Sequence, residues 1–442
     1  MKNKIHFKSV LLTLSVIFAT SFGAQAMVNG KGTLRIDIQM PEQEQKDLLR
    51  SERTDVPAAQ AKIYKDGELT QETEINLHSR GQSSLKEYDR KNMEAKSNSE
   101  DDKNKKLHTG SVKAKEMILS ASPEDYLVTK NMLVYRLYKA VNVPTMNTEY
   151  AEVTINGKSQ GLYMTSSSAA EHLILEEDAE VVFRRRYADF IELKKAKKSL
   201  SEADIKAYES KLADLYKIAT TQKGEELVAG LSKNFNVDHY LRWLAVNYIV
   251  KNSDYFDEVF FFAKKDKNNE MQFDIFPWDL DDTFAEQMHG MGLPGYINRH
   301  QEGRSQRQML YSFESQLDQA VSQDRVLLTK YFNVLKEVVA ELSDDKVDHI
   351  FGTVKNKLIP YLADADILNG GLIDIQKSVH DPVSVLADME IKRDLVKSRL
   401  AEMRAELAVI ATENPGERAK SFSKFRKKIS RIEQKIMRQM SQ

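Results

Sequence analysis

The sequence predicts an α+β protein with a strand-rich N-terminal part and a mostly helical C-terminal part. Between residues 32 and about 190, apolar and polar residues alternate in short runs separated by turn signals, as in half-buried strands. Between about residue 199 and residue 410, apolar residues recur at helical spacing. The chain has 442 residues, of which 41% are hydrophobic, so it can bury a large core in one domain or in two lobes.

The first 26 residues have the pattern of a secretory signal peptide. Lys2 and Lys4 precede an apolar run over residues 10–22, which is followed by Ala24-Gln25-Ala26. A basic start, a short apolar segment and an A-x-A site are typical of such peptides, and the run is short for a membrane span. We expect cleavage after Ala26, an exported chain with no transmembrane segment, and a periplasmic or extracellular location.

Composition and motifs exclude several kinds of site. The absence of cysteine excludes disulfides, cysteine nucleophiles and thiolate metal ligands. The net charge of −1 does not by itself indicate a charged partner. The histidines show no metal-ligand spacing, and the sequence contains neither a G-x-S-x-G nor an H-E-x-x-H motif.

Two hairpins are predicted in the strand-rich part. Thr33–Met40 alternates as a strand, and Ala61–Leu69 places an Asp66-Gly67 turn between two short strands. Glu149–Met164 has the same layout about Asn156-Gly157. These turn dipeptides favour the positive φ angles that a tight hairpin needs.

The helical pattern appears once in the strand-rich part and repeatedly beyond it. Asp238 is expected to mark the start of one helix, and Pro360 is expected to end another. A basic tail over residues 411–442 is expected to be peripheral, with contact to an acidic surface, anionic lipid or nucleic acid as the alternative. The predicted helices are Tyr126–Val141, Ser199–Ile218, Val237–Val250, Leu328–Leu342, Val347–Ile359 and Val383–Ile410.

The residues that carry chemistry flank a predicted hairpin. Val259–Ala263 and Met271–Phe276 are apolar strands joined by a polar turn. Asp254 precedes the first strand and Asp279 follows the second, so both belong to the open end of the hairpin. Asp281 projects from the same side as Asp279 where the backbone is extended.

Carboxylates arranged in this way suit phosphoryl transfer. Carboxylate oxygens hold Mg²⁺ on nucleotide phosphates, and a further carboxylate orients the attacking hydroxyl. Asp-x-Asp pairs also occur in solvated turns, where they bind nothing. Here an apolar strand and Pro277-Trp278 lead directly into the acidic residues, which favours a functional site.

Five segments together resemble the CotH (spore coat protein H) family of atypical kinases. The central signature of that family is similar to Asn252-x-Asp254, the hairpin, and residues 277–281. The resemblance covers roughly residues 32–400 and implies one atypical kinase-like domain over residues 27–410. The other similar segments, in the same order as in the family, are Ser79–Ser84 followed by Arg90-Lys91, Met117–Ser122 with Asp125 and Asn131, Asn156–Tyr163, and Val237-Asp238 with Trp243.

The resemblance implies a kinase that transfers a phosphoryl group from ATP or another nucleotide to a protein Ser or Thr, with Mg²⁺ or Mn²⁺ as cofactor. Asp254 would be the catalytic-loop residue, and Asp279 would hold the metal with help from Asp281. The family loop carries an Asn as a second metal ligand, and this chain has Asp257-Glu258 there. Glu258 would then be the second ligand.

In the strand-rich part, the resemblance implies that Lys91 pairs with the nucleotide phosphates. Lys96 is an alternative for that role, and a solvated surface position is the alternative for Lys91 itself. Arg80 and Ser84 would shape the loop near the phosphates, with an ordinary turn as the alternative at Arg80-Gly81.

A departure from the family pattern leaves a second function open. The family hairpin continues to a glutamate after its Tyr, and this chain has Thr165-Ser-Ser-Ser168 instead. A catalytically degenerate member that acts as a structural or surface interaction protein is therefore the alternative to an enzyme, and a nucleic-acid-binding protein led by the basic tail is a third. The run Arg184-Arg185-Arg186 is expected to lie on a solvated face, with binding of phosphate or of an acidic partner as its alternative.

Overall fold

The structure is a computed structural model that describes residues 33–50, 52–81, 85–86, 89–101, 105–121, 125, 128–186, 189–254, 259–285, 309–310, 315–371 and 381–412. Four predictions lie outside the described residues: the signal peptide, nearly all of the basic tail, Ser84 and Glu258.

The strands and helices confirm the α+β prediction, with strands concentrated in the N-terminal part and helices in the C-terminal part. The strands are β1 (Leu34–Gln39), β2 (Asp55–Lys65), β3 (Glu68–Arg80), β4 (Asn92–Ser97), β5 (Leu107–Thr109), β6 (Val112–Ala114), β7 (Glu116–Ser120), β8 (Glu149–Ile155), β9 (Lys158–Ser167), β10 (Val181–Arg186), β11 (Phe190–Ala196), β12 (Val259–Lys265) and β13 (Met271–Pro277). The helices are α1 (Glu42–Leu48), α2 (Thr129–Ala140), α3 (Ala169–Leu175), α4 (Glu202–Thr221), α5 (Gly224–Asn234), α6 (Val237–Val250), α7 (Gln316–Gln323), α8 (Arg325–Glu341), α9 (Asp344–Leu362), α10 (Ala365–Asn369) and α11 (Pro382–Thr412).

The chain forms two compact units, and each takes three separate stretches of sequence. The barrel unit contains the described residues of Met1–Met132, Met146–Glu171 and Phe351–Glu390. The helical unit contains the described residues of Leu133–Thr145, His172–Ile350 and Ile391–Gln442. The predicted strand-rich part over residues 32–190 and helical part over residues 199–410 therefore differ from these units, because the chain returns to the barrel unit late in the sequence.

The barrel unit is built on a closed barrel with the strand order β1-β2-β3-β4-β7-β9-β8. Alternate side chains of each strand point inward, for example Ile36 and Ile38 in β1 and Met93 and Ala95 in β4, and they form the apolar core. The two predicted hairpins close with positive φ at both turn residues, 55° and 83° at Asp66-Gly67 and 51° and 76° at Asn156-Gly157.

The helical unit contains an antiparallel sheet with the order β11-β10-β12-β13. Helix α6 is buried along most of its length, and Trp243 in its middle is fully enclosed. Its N-terminal cap is Asn236, whose side chain accepts the His239 N–H at 3.2 Å, while Asp238 lies in the first turn. The predicted helix bounds are confirmed, and so is Asp238 as a residue that marks the start of the helix.

The expectation that Pro360 ends a helix is wrong. Helix α9 contains Pro360 and continues to Leu362. The last turn is held by Tyr361, whose hydroxyl accepts the Leu34 N–H at 2.7 Å and lies 3.0 Å from the Tyr150 carbonyl. These buried tertiary contacts offset the backbone hydrogen bond that proline cannot make.

The expectation of a solvated arginine run is also wrong at its middle residue. The run lies in β10, where successive side chains point to opposite faces. Arg184 and Arg186 are half-buried, whereas Arg185 is fully buried with its guanidinium 5.3 Å from the Trp243 ring centroid. Burial alone lowers the pKa of Arg185, but nearby groups, chiefly the Tyr240 hydroxyl and then the Asp318 carboxylate, raise it above the ordinary value.

None of the helices in the part of the chain that the structure describes is long and apolar enough to cross a membrane.

Candidate functional site

The hairpin β12–β13 places the acidic segments at one end, as predicted. The strands are antiparallel and Val259 pairs with Pro277. The segment that contains Asp254 enters the hairpin at this end, and the segment that contains Asp279 and Asp281 leaves from it. The register therefore confirms the prediction that the two acidic segments lie at the same end of the hairpin.

Hydrogen bonds join the two acidic segments directly. The Ser253 N–H donates to the Asp282 carbonyl at 2.9 Å, and the Ser253 hydroxyl donates to the Asp282 carboxylate. The Phe284 N–H donates to the Val250 carbonyl at 2.6 Å, which ties the same segment to the end of α6. The segment that ends at Asp254 and the segment that contains Asp279 are thus held together by backbone and side-chain hydrogen bonds.

Asn252 shapes the loop before Asp254 and is almost fully buried. Its side-chain amide donates to the Asn247 side chain at 3.0 Å, and Asn247 also accepts the Tyr138 hydroxyl at 2.8 Å. The Asn252 side-chain oxygen accepts the Asp254 N–H at 3.4 Å. Asn252 therefore positions Asp254 through the backbone.

The backbone near the acidic residues adopts the left-handed conformation at three positions other than glycine. The φ angles are 48° at Lys251, 50° at Asp279 and 60° at Phe284. Such residues cost free energy and tend to occur where a loop must present a side chain in a fixed direction. Aspartate tolerates this conformation better than most residues, and Asp279 is exposed.

Among the described residues, the acidic side chains do not form a closed metal cage. In the described ranges, no three His, Asp or Glu side chains are grouped as they would be around a metal ion. Asp254 and Asp281 are half-buried. Trp278, next to Asp279, packs its ring edge-on against Phe260, with centroids 5.9 Å apart and an interplanar angle of 89°.

In the barrel unit, Lys91 is almost fully buried directly before β4. Its ammonium donates to the Leu85 carbonyl at 2.6 Å. Burial lowers the pKa of Lys91, and the charge of Asp89 opposes this effect. The solvated surface position considered for Lys91 is therefore wrong.

Lys96 and Arg80 lie on the outer face of the barrel and are paired with carboxylates. Lys96 lies opposite Glu116 on the neighbouring strand, with Nζ and Oε1 3.5 Å apart. Arg80 lies 3.8 Å from Glu94. Burial raises the pKa of Glu94, but a hydrogen bond from His78 and the charges of His78, Arg80 and Lys96 lower it below its ordinary value.

The segment Thr165–Ser168, where the family resemblance implies a glutamate, is mostly buried. The Thr165 hydroxyl lies 2.7 Å from the Thr109 hydroxyl. The next carboxylate along the chain, Glu171, is also buried and accepts the N–H groups of Lys115 and Glu116, both at 2.7 Å. Glu171 therefore holds backbone together and is not presented to a ligand.

A cleft of about 510 Å³ lies at the other end of the same hairpin. Its lining includes Asn236, Lys264 and Asp274, of which Asp274 accepts hydrogen bonds from Asn236 at 3.0 Å and faces the His239 ring at 2.8 Å. The strands of the hairpin separate this cleft from Asp254 and Asp279, so it is not part of the acidic site.

Sequence reasoning identified the acidic residues but missed the groups that hold them. Ser253 and Asp282 stand next to predicted site residues, and their bond depends on how two loops meet, which no spacing in the sequence reveals. Asn247 is spaced five residues from Asn252, a pattern that also occurs by chance. The burial of Arg185 could have been suspected from the period-two alternation of its strand.

Comparisons with known proteins agree with a kinase-like class of α+β protein. The model of the family described as CotH kinase protein matches residues 77–433. Inner spore coat protein H of Bacillus subtilis (strain 168) is 28% identical over 195 residues, which make up 40% of this chain and 52% of that protein. The chain thus matches about half the length of this curated relative.

A crystal structure of a proinflammatory kinase from Helicobacter pylori, CtkA, is similar at 11% identity. The match covers 68% of this chain and 94% of that chain, with a TM-score of 0.31. At that TM-score the likeness adds nothing to the assignment, which depends on the family model. Because that model covers most of the sequence, the chain belongs to the CotH kinase protein family.

Proposed function

We propose that the protein is a phosphotransferase that moves a phosphoryl group from a nucleotide, ATP in the first instance, to a Ser or Thr hydroxyl of a protein. The observation that carries the proposal is the register of the β12–β13 hairpin, which places Asp254 and Asp279 at one end. Membership of the CotH kinase protein family supports the same reaction class.

In this proposal, Asp254 orients the acceptor hydroxyl and accepts its proton. Asp279 and Asp281 hold Mg²⁺ or Mn²⁺, with Glu258 as a further ligand. The metal, when bound, neutralises charge on the nucleotide phosphates. The carboxylates present fit such an ion, because Mg²⁺ on a nucleotide takes one or two protein carboxylates and completes its shell with phosphates and water.

Lys91 is proposed to pair with nucleotide phosphates, and Arg80 and Ser84 to shape the loop beside it. The burial of Lys91, which lowers its pKa, supports a functional role, because a desolvated ammonium gains from an anionic ligand that stabilises its charge. Its contact with a neutral backbone carbonyl is weaker than a contact with phosphate.

A thermal-shift titration with ATP and either Mg²⁺ or Mn²⁺, followed by a transfer assay on a Ser- and Thr-containing protein, tests the proposal. The parent should be stabilised only when nucleotide and metal are both present. Asp279→Asn should lose that stabilisation, whereas Asp266→Asn in the turn of the same hairpin should retain it. Equal responses of the two variants would contradict the assignment of Asp279.

A second candidate function is a structural or surface interaction protein without catalysis. It is favoured by Thr165–Ser168, which are mostly buried where the family resemblance implies a glutamate, and by the name of the Bacillus relative, a spore coat protein. The titration separates the two functions, because a protein of this second kind would show no stabilisation by nucleotide with either metal.

We also propose that the protein is exported, on the pattern of Lys2, the apolar run over residues 10–22 and the A-x-A site. Mass spectrometry of protein from an exporting host should give an N-terminus at Met27. Recovery of the uncleaved chain in the membrane fraction would contradict the proposal.

A further inference from the structure

Arg90 is a buried arginine that binds backbone carbonyls at the C-terminal end of α10. Its Nε donates to the Gly370 carbonyl at 2.7 Å. Its Nη2 donates to the Leu368 carbonyl at 3.2 Å and lies 3.3 Å from the Ile367 carbonyl. Carbonyls at a helix end lack partners within the helix, so a cation that donates to them stabilises the end of α10.

Three glycines allow the close packing around the Arg90 side chain, and we call Gly161, Gly370 and Gly371 the glycine cradle. A Cβ on Gly161, which has φ of +95°, would lie 1.9 Å from Arg90 Nη2. A Cβ on Gly370 would lie 2.5 Å from the Gly161 nitrogen, and one on Gly371 would lie 2.8 Å from the Gln160 carbonyl. Strand β9 and the end of α10 therefore approach each other only because these positions have no side chain.

The cradle fixes the backbone that carries Lys91. Arg90 is anchored on one side by the cradle, and the Tyr163 hydroxyl donates to the Lys91 carbonyl at 3.2 Å on the other. Gly161 and Tyr163 belong to the same strand, β9, at positions two residues apart. The Arg90-Lys91 pair and the Gly-x-Tyr segment, which the sequence presents as separate motifs, are thus one packed structure.

We propose that Arg90 is a positioning residue for Lys91, and that residues 365–371 influence nucleotide affinity through it. Lys91 reaches the Leu85 carbonyl with a nearly fully buried side chain, so a displaced backbone at residue 90 moves the ammonium with it. The inference rests on the proposed function, because the pairing of Lys91 with nucleotide phosphates is itself part of that proposal.

Glycine substitutions test the cradle while holding backbone strain nearly constant. Gly157 has φ of +76° and nothing within 4 Å of an added Cβ, so Gly157→Ala introduces the strain without a collision. Gly161→Ala introduces both the backbone strain and a collision with Arg90. Gly161→Ala should therefore weaken binding of ATP with Mg²⁺ about tenfold, a loss of about 1.4 kcal/mol, while Gly157→Ala should leave binding nearly unchanged.

A double-mutant cycle then separates positioning from general destabilisation. Arg90→Ala should raise the KM for ATP and leave kcat within about twofold, because only nucleotide affinity depends on Lys91 placement. In a Lys91→Met background, Arg90→Ala should cause little further loss of nucleotide affinity, since the side chain that it positions is absent. Arg90→Lys, which keeps the charge and N–H donors on one nitrogen, should retain part of the affinity that Arg90→Ala loses.

The outcomes distinguish this inference from the function on which it rests. If the parent binds nucleotide and the effects of Arg90→Ala and Lys91→Met simply add, Arg90 is structural and the inference is overturned alone. If Gly161→Ala binds ATP with the same affinity as Gly157→Ala, the cradle does not control the nucleotide site, and the inference is again overturned alone. If the parent binds no nucleotide with either metal, the proposed function and the inference are overturned together.

Discussion

Ser253 and Asp282 are joined twice, by a 2.9 Å hydrogen bond from the Ser253 N–H to the Asp282 carbonyl and by a hydrogen bond from the Ser253 hydroxyl to the Asp282 carboxylate. Each residue is next to a proposed functional position, Ser253 beside Asp254 and Asp282 beside Asp281. The side-chain bond is charge-assisted, and Ser253 is largely buried, so it resists competition by water. This link makes the two acidic segments depend on each other.

Ser253→Ala should therefore lower the free energy of unfolding by about 1.5–3 kcal/mol, the range for hydrogen bonds to charged groups. It should also reduce phosphoryl transfer, because Asp254 loses its fixed relation to the opposite segment. Urea unfolding and the transfer assay are the measurements, with exposed Ser199→Ala as the control. A variant as stable and active as the Ser199→Ala control would show that the link is dispensable.

The two candidate lysines differ in their surroundings, which gives a direct comparison. Lys96→Met should cost at most about 1 kcal/mol, because its ion pair with Glu116 is a partly exposed cross-strand pair. Lys91→Met should weaken but not abolish stabilisation by ATP and Mg²⁺ while the protein stays folded, since a methionine of similar length suits the buried position. A thermal-shift series with nucleotide decides between them, and the reverse pattern would transfer the phosphate role to Lys96.

The elements that sequence reasoning predicted well are those whose signal is local. The Asp66-Gly67 and Asn156-Gly157 turns demand positive φ at both residues, and the structure has it. Helix α6 begins at Val237 and ends at Val250, the bounds that its apolar pattern predicts. Pro360 was predicted wrongly because the contacts that hold α9 together come through Tyr361 from residues far away in the sequence.

The site was predictable only in part for the same reason. The hairpin register follows from two apolar strands and one polar turn, so the shared end of Asp254 and Asp279 could be derived. The bond between Ser253 and Asp282 and the contacts of Arg90 with α10 join residues that are 29 and about 280 positions apart. No period or motif in one sequence encodes such pairings.

The dependence of folding stability on acid pH should involve His172. This side chain is buried, and its ring centroid lies 5.4 Å from that of Phe276. Burial lowers the pKa of His172 below 6.5, although the charges of Glu177 and Glu176 oppose this. The unfolded state therefore binds more protons as pH falls, so the contribution of His172 to stability is complete above about pH 6.5 and decreases below it by up to about 1.4 kcal/mol per pH unit.

Urea unfolding at pH 8 and at pH 5.5 measures this effect. The decrease in the free energy of unfolding from pH 8 to pH 5.5 should be smaller for His172→Gln than for the parent. The substituted chain has no imidazole to protonate at position 172. Exposed His349→Gln should behave as the parent does. An unchanged difference in His172→Gln would show that other groups cause the acid sensitivity.

The buried arginine of β10 should be essential for folding of the helical unit. Arg185→Met should lower the free energy of unfolding by about 3–5 kcal/mol, because the carboxylates that raise its pKa, chiefly Asp318, would be left in the interior without this cation. Arg186→Met should cost at most about 1 kcal/mol, since its pair with Glu192 is partly exposed. Chemical denaturation of both variants gives the comparison, and similar losses would contradict the distinction.

Asp254 and Asp279 should respond differently to the same substitution. Asp279→Asn keeps a residue that tolerates φ near 50° but removes the charge that offsets a divalent cation, so both nucleotide-dependent stabilisation and transfer should disappear. Asp254→Asn should keep the stabilisation and lose about 10²–10⁴-fold in transfer rate, because its proposed task is to accept the proton of the acceptor hydroxyl. Calorimetric titration with ATP and Mg²⁺, run beside a single-turnover transfer assay, measures the two quantities separately. If Asp254→Asn lost nucleotide binding as completely as Asp279→Asn, both carboxylates would serve the metal, and the proton acceptor would have to be sought elsewhere.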